Sequence, residues 1–109
     1  MQNLNRLTKA ERKFYLSIPK GIENAIPARR LTQITGMSAR TLTACANGLR
    51  NKHFSIGSSR SNVDGGYYII TNDEELNSTV REIEANARKQ LQTAYNLKKG
   101  WKDRKKMNK

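Results

Sequence analysis

The side chains able to do covalent or metal chemistry are few in this chain, and they do not converge. One cysteine, Cys45, and one histidine, His53, cannot supply the four ligands of a tetrahedral metal site. A single thiol allows no internal disulfide and fits a reducing compartment. The carboxylates Asp73, Glu74, Glu75, Glu82 and Glu84 crowd into the first half of one amphipathic segment, where solvated acids are ordinary. No glycine-rich phosphate loop occurs, since Gly65-Gly66 is only a pair. The expectation is a chain with no catalytic centre, no cofactor and no metal. What remains is hydrogen bonding to planar and anionic groups. Arg40 can fork onto O6 and N7 of a guanine, and Asn47 can pair with N6 and N7 of an adenine.

The charge balance points the same way. Lys and Arg number 21 against 9 Asp and Glu, a formal net charge of +12. Such an excess goes beyond what solubility requires and attracts polyanions. It is also unevenly placed: between Asn24 and Val63 there is no acid, yet Arg29, Arg30, Arg40, Arg50, Lys52 and Arg60 lie there. Like charges at that density repel one another in the folded chain unless a polyanion neutralises them. A membrane is not the expected partner. The longest apolar run, Tyr67-Tyr68-Ile69-Ile70, is too short to span a bilayer or to form a signal-peptide core. With 109 residues, 36% of them hydrophobic, there is room for one small core and an extension.

These groups need elements to aim them. Thr8-Lys9-Ala10-Glu11 has capping-box spacing, and a helix is expected from there to about residue 17, with Phe14, Tyr15 and Ile18 inward. Pro19 and Gly21 stop it, and residues 1–7 read as a loose arm. Ala25-Ile26-Pro27 reads as a short extended piece, because the residue before proline is pushed out of the helical region. A second helix is expected over 28–35 with Leu31 and Ile34 inward, broken by Gly36-Met37. Ser38 then caps a third helix to about residue 51, in which Leu42, Cys45, Ala46 and Leu49 recur at helical spacing; Gly48 weakens its last turn.

Period two follows. His53-Phe54-Ser55-Ile56 and Gly66-Tyr67-Tyr68-Ile69-Ile70 flank a polar, glycine-rich loop over 57–65, which predicts a hairpin with one of Tyr67 and Tyr68 packed and the other facing water. Asn72 or Asp73 caps a last helix to about residue 99, ended by Gly100. Leu76, Val80, Ile83, Ala87, Leu91, Ala94 and Leu97 form a nearly heptad stripe on it, interrupted at Gln90. Trp101 falls in a basic tail.

Helix, short strand, helix, turn, helix, two-stranded wing, long helix is the winged helix-turn-helix order. The expected fold class is therefore α+β, mostly helical, a winged helix-turn-helix with a long C-terminal helix. The expected organisation is an arm over 1–7, the domain over 8–72, the amphipathic helix over 73–99 and the basic tail over 100–109. Gly36 permits a positive φ between two steeply crossing helices, held together by Leu31, Met37, Leu42 and Cys45.

On Gly36-Met37-Ser38, Leu49-Arg50 and Gly65-Gly66-Tyr67-Tyr68, the chain resembles the DNA-binding domain of the biotin-operon repressor and related winged helix-turn-helix modules. Ile18-Pro19-Lys20-Gly21 and Glu23-Asn24-Ala25-Ile26 are similar to the lead-in of small winged-helix proteins from phages of Gram-positive bacteria. The resemblance covers roughly residues 10–72. It implies double-stranded DNA as partner, a role as a phage or prophage regulator or replication accessory factor, and residence in the bacterial cytoplasm with the nucleoid. Two residues depart from the motif: Thr32 stands where it usually has Ala or another very small residue, and Thr35 where it usually has an apolar one.

With Leu42, Cys45 and Leu49 buried, the exposed face of the third helix would offer Ala39, Arg40, Thr43, Ala44 and Asn47 to base edges. Arg29, Arg30, Ser38, Thr41, Arg50 and Lys52 would hold the phosphate backbone. Ser58, Ser59, Arg60, Ser61 and Asn62 would form the wing, with Arg60 reaching the minor groove. Leu76, Val80, Ile83, Ala87, Leu91 and Leu97 would pair with a second copy or dock a partner. The alternative function is an inhibitor or adaptor that uses the same fold to bind a host protein or ribonucleoprotein.

Overall fold

Thr8 Oγ1 accepts from the amide of Glu11 at 3.1 Å, and Glu11 Oε1 accepts from the amide of Thr8 at 2.9 Å. This reciprocal cap opens α1 (Lys9–Ser17), which ends where Ile18 turns extended ahead of Pro19. A computed structural model describes residues 4–60 and 66–107. Among these the architecture is α+β: four helices and one two-stranded antiparallel sheet. The chain divides into two compact units, residues 1–79 and 80–109.

In the first unit, α1 buries Phe14 and half-buries Tyr15, and Ile18 just after it is buried. Phe14 meets Tyr67 edge-on with ring centroids 5.2 Å apart, and Tyr15 meets Phe54 the same way at 5.2 Å. The segment before α1 is not a loose arm throughout. Leu4–Arg6 form one 3-10 turn, the Leu4 carbonyl accepts from Arg12 at 3.1 Å, and Leu7 is buried in the core. Its side chain is apolar enough to repay the ordering of the turn.

After α1, Gly21 takes φ 88, and residues 22–24 make another 3-10 turn. The expected extended piece is present: Ile26 exchanges both backbone hydrogen bonds with Tyr67, at 3.0 and 2.9 Å. Helix α2 (Ala28–Thr35) follows Pro27 and closes on Gly36 at φ 75, the left-handed cap a glycine adopts without strain. Leu31 is fully buried, but Ile34 is 52% exposed and Thr35 takes the inward place. Thr35 lies one full turn beyond Leu31. Its hydroxyl donates to the Leu31 carbonyl at 2.6 Å and accepts from the Met37 amide at 3.2 Å, so its burial leaves no polar atom unpaired.

Helix α3 (Ala39–Asn51) is capped by Ser38 and buries Leu42, Cys45, Ala46 and Leu49. Burial pushes the Cys45 thiol up, so it remains a protonated core residue. Gly48 sits inside the helix because a Cβ there would strike the Glu11 carboxylate. That carboxylate, already part of the α1 cap, also pairs with Lys52 Nζ at 2.5 Å. The loss of about 1 kcal/mol of helix propensity at glycine is offset by the room left for this pair.

The first strand of the hairpin begins three residues later than its hydrophobic pattern suggests, and the second begins where expected. Strands β1 (Ile56–Ser59) and β2 (Gly66–Ile69) pair Ile56 with Ile69, Gly57 with Tyr68, Ser58 with Tyr67 and Ser59 with Gly66. His53 is no strand residue: it takes φ 71 as the chain turns out of α3, and Phe54 plugs the core behind it. Gly57 to Ser59, expected in the loop, are strand, and a Cβ at Gly57 would strike the Tyr68 ring. Tyr68 is fully buried and Tyr67 half-buried.

Asn72 caps α4 (Asp73–Met107) by accepting from the Glu75 amide at 2.9 Å. Gly100 does not end this helix. A Cβ there would meet nothing within 4 Å, and Lys98, Lys99 and Lys102 favour the helix around it, so its cost of about 1 kcal/mol is carried by its neighbours. The first two turns of α4 belong to the first unit. Glu75, expected to be solvated with the other acids, is buried. It accepts from the backbone N–H of Ile22 at 2.9 Å and of Thr71 at 2.8 Å, and from the Thr71 hydroxyl at 3.0 Å. One turn on, buried Thr79 shares a hydrogen bond with Tyr68 at 3.3 Å and accepts from the Ser58 amide at 3.3 Å.

These contacts carry a pH dependence. The Ile22 and Thr71 donors hold the Glu75 carboxyl below the usual 4.5, and Lys52 does the same for Glu11. A depressed carboxyl stabilises the fold above its unfolded pKa, and that stability is lost as pH falls through the folded value. The melting temperature is therefore expected to fall as pH drops below about 4.5, and Glu75→Gln to flatten the decline. Parallel thermal melts of both proteins between neutral pH and pH 3 check this; equal slopes would show that Glu75 contributes nothing.

Candidate nucleic-acid interface

Because Leu42, Cys45, Ala46 and Leu49 turn α3 inward, its opposite side is fixed by helical geometry. Ala39, Arg40, Thr43, Ala44 and Asn47 are all exposed there, as their spacing predicts. The Thr43 hydroxyl donates to the Ala39 carbonyl at 3.2 Å. The side chains of Arg40 and Asn47 have no hydrogen bond or ion pair to any described residue. Two helical turns separate them, about 10 Å along the axis. No acid lies on α3 or α2, so nothing in either helix competes for the guanidinium.

Ser38 stands at the start of this face. Its Oγ accepts from the Thr41 amide at 3.1 Å and donates to Thr41 Oγ1 at 3.0 Å, which orders the cap that would meet a phosphate. The side chains of Arg29 and Arg30, exposed in the first turn of α2, are likewise without a described partner.

Two of the expected backbone-contacting residues are used inside the molecule. Arg50 donates from Nε to the Ile56 carbonyl at 2.9 Å and from Nη2 to Ser58 Oγ at 3.0 Å, tying α3 to β1. Lys52 is the partner of Glu11. Forty-one residues separate that pair in sequence, and no local signal announces it. The wing residues divide similarly. Ser58 is half-buried between Arg50 and Thr79, and Ser59 is half-buried in β1. Arg60 is exposed at the strand end. Ser61 and Asn62 lie outside the described residues.

In the second unit, Val80, Ile83, Leu91 and Leu97 are exposed on α4, as are Ala87, Tyr95 and Trp101; Leu76, on the same helix in the first unit, is also exposed. Lys105 Nζ lies 5.3 Å from the Trp101 ring centre, one turn away. Trp101, Lys102, Lys105 and Lys106 thus belong to the helix and do not form a separate tail; Lys109 lies outside the described residues.

Among the described residues no group of His, Cys, Asp or Glu could hold a metal ion, and no helix is long and apolar enough to cross a membrane. No protein-family model, curated protein or solved structure matches the chain.

Proposed function

We propose that this chain is a winged helix-turn-helix protein that binds double-stranded DNA and catalyses no reaction. In this reading α2, the turn at Gly36 and α3 are the helix-turn-helix, and β1 and β2 are the wing. The observation that carries it is the outer face of α3. A guanidinium and a carboxamide stand there without described partners among small side chains, on a helix whose N-terminal cap is ordered. In the major groove Arg40 reads guanine and Asn47 reads adenine, while Ala39, Thr43 and Ala44 allow close approach and contact thymine methyls. Arg29 and Arg30 clamp phosphates beside α2, and Arg60 enters from the wing. The role is that of a phage or prophage regulator, or a replication accessory factor, acting in the bacterial cytoplasm.

Selection of duplexes from a random pool, followed by a salt titration on the enriched site, tests the reading. Three phosphate contacts, from Arg29, Arg30 and Arg60, predict a slope of log K on log salt of about −2.7, or a loss of roughly 40-fold between about 50 and 200 mM. If Arg50 and Lys52 leave their internal partners on binding, the slope steepens to about −4.5. Affinity that barely changes over that range overturns the proposal. Failure to enrich any duplex favours the alternative, in which the same basic face docks on a host protein or ribonucleoprotein.

A further inference from the structure

Beyond Thr79, helix α4 has an apolar face that no described residue covers. Val80, Ile83, Ala87, Gln90, Ala94, Leu97 and Trp101 occupy successive core positions of a heptad, and the helix runs unbroken through Gly100, so the stripe reaches Trp101. Leu97 is 73% exposed and Trp101 55%. The charges on the same helix are sorted by end. Asp73, Glu74, Glu82 and Glu84 lie in its first third, with Arg81 the one base among them. From Arg88 onward Lys89, Lys98, Lys99, Lys102 and Arg104 follow, with Asp103 as the single acid.

Side by side in parallel, two such helices would set basic end against basic end. Antiparallel, each acidic third lies beside the other's basic half, and attraction replaces repulsion. We propose that the occupant of this stripe is a second copy of the chain, paired antiparallel along α4 about a two-fold axis between Arg88 and Lys89. In that register Val80 faces Leu97 of the second copy, Ile83 faces Ala94 and Ala87 faces Gln90. Each larger aliphatic side chain meets a complementary one, and Trp101 lies over the first turns of the opposite helix. Gln90, the one polar core position, falls beside the axis, where a polar residue fixes register at some loss of affinity. This pairing does not rest on the DNA reading, and it can hold or fail separately from it.

Sedimentation equilibrium of the full chain without nucleic acid is the first measurement. A reversible dimer is expected in the micromolar to hundred-micromolar range. Leu97→Asp should raise its dissociation constant at least about tenfold, since a buried leucine is worth about 1.5–3 kcal/mol. Dilution of the dimer should red-shift the emission of Trp101, the only tryptophan. Direction is read by mild oxidation in a Cys45→Ala background. A mixture of Val80→Cys and Leu97→Cys proteins should form the mixed disulfide, and neither should crosslink efficiently with itself. A chain that stays monomeric at several hundred micromolar overturns the proposal, as does efficient self-crosslinking of the Leu97→Cys protein, which would mean parallel pairing.

Discussion

Replacing Arg40 and Asn47 together by alanine is expected to weaken binding to the preferred duplex by about 2–6 kcal/mol, roughly 30-fold to 25,000-fold, from 1–3 kcal/mol for each bidentate base contact. Both side chains are exposed and neither has a described partner, so the melting temperature should not move. On duplexes of unrelated sequence the loss should be far smaller, because base reading is absent there. Arg29→Ala should behave differently, weakening every duplex alike through one lost phosphate contact. Titrations of the three proteins on the selected site and on a scrambled one would decide. If the double variant lost equally on both, the outer face of α3 would not be the reading face.

Gly66→Ala should disrupt the fold itself. Gly66 adopts φ 154, and a Cβ there would run into the backbone at Ile26 and Pro27. Nothing flexible can move aside, because Ile26 and Tyr67 are held by a reciprocal pair of backbone hydrogen bonds. Strain of about 1–3 kcal/mol, with those two bonds at about 1 kcal/mol each, gives a loss of roughly 3–5 kcal/mol. For a unit of this size that lowers the melting temperature by more than about 12 °C. A variant melting within a few degrees of the parent would mean that the strand beside Ile26 separates without consequence.

Much of the framework was legible because its signals are local. Thr8 and Glu11 are three residues apart, Ser38 precedes its helix directly, and Leu42, Cys45 and Leu49 define a face that also defines its opposite. The outer face of α3 could therefore be named residue by residue. Features set by distant partners could not. Arg50 and Lys52 look like any other bases of a cationic stretch until β1 and Glu11 arrive beside them. Thr35 displaced Ile34 because a hydroxyl can return its hydrogen bond to its own helix, a choice that hydropathy alone does not reveal. The first strand starts later than its pattern predicts because Phe54 and Ile56 are both apolar for different reasons, one plugging the core and the other starting a strand. Gly100 has the pattern of a stop, yet one glycine within a run of helical residues lacks the competing cap that would end the helix.

Glu75 has a practical consequence for where this protein can be cut. Its carboxylate satisfies the amide of Ile22, 53 residues earlier, and Thr79 closes over Tyr68 and Ser58. A shortened chain ending at Asn72, the natural boundary by sequence pattern, would strand those amides and hydroxyls at a surface newly opened to water. A chain ending a few residues beyond Thr79 would retain them. The minimal autonomous fragment is thus set by one acid and one hydroxyl inside a helix, past the last strand. Any transplant of α2 and α3 into another protein has to bring those two turns along.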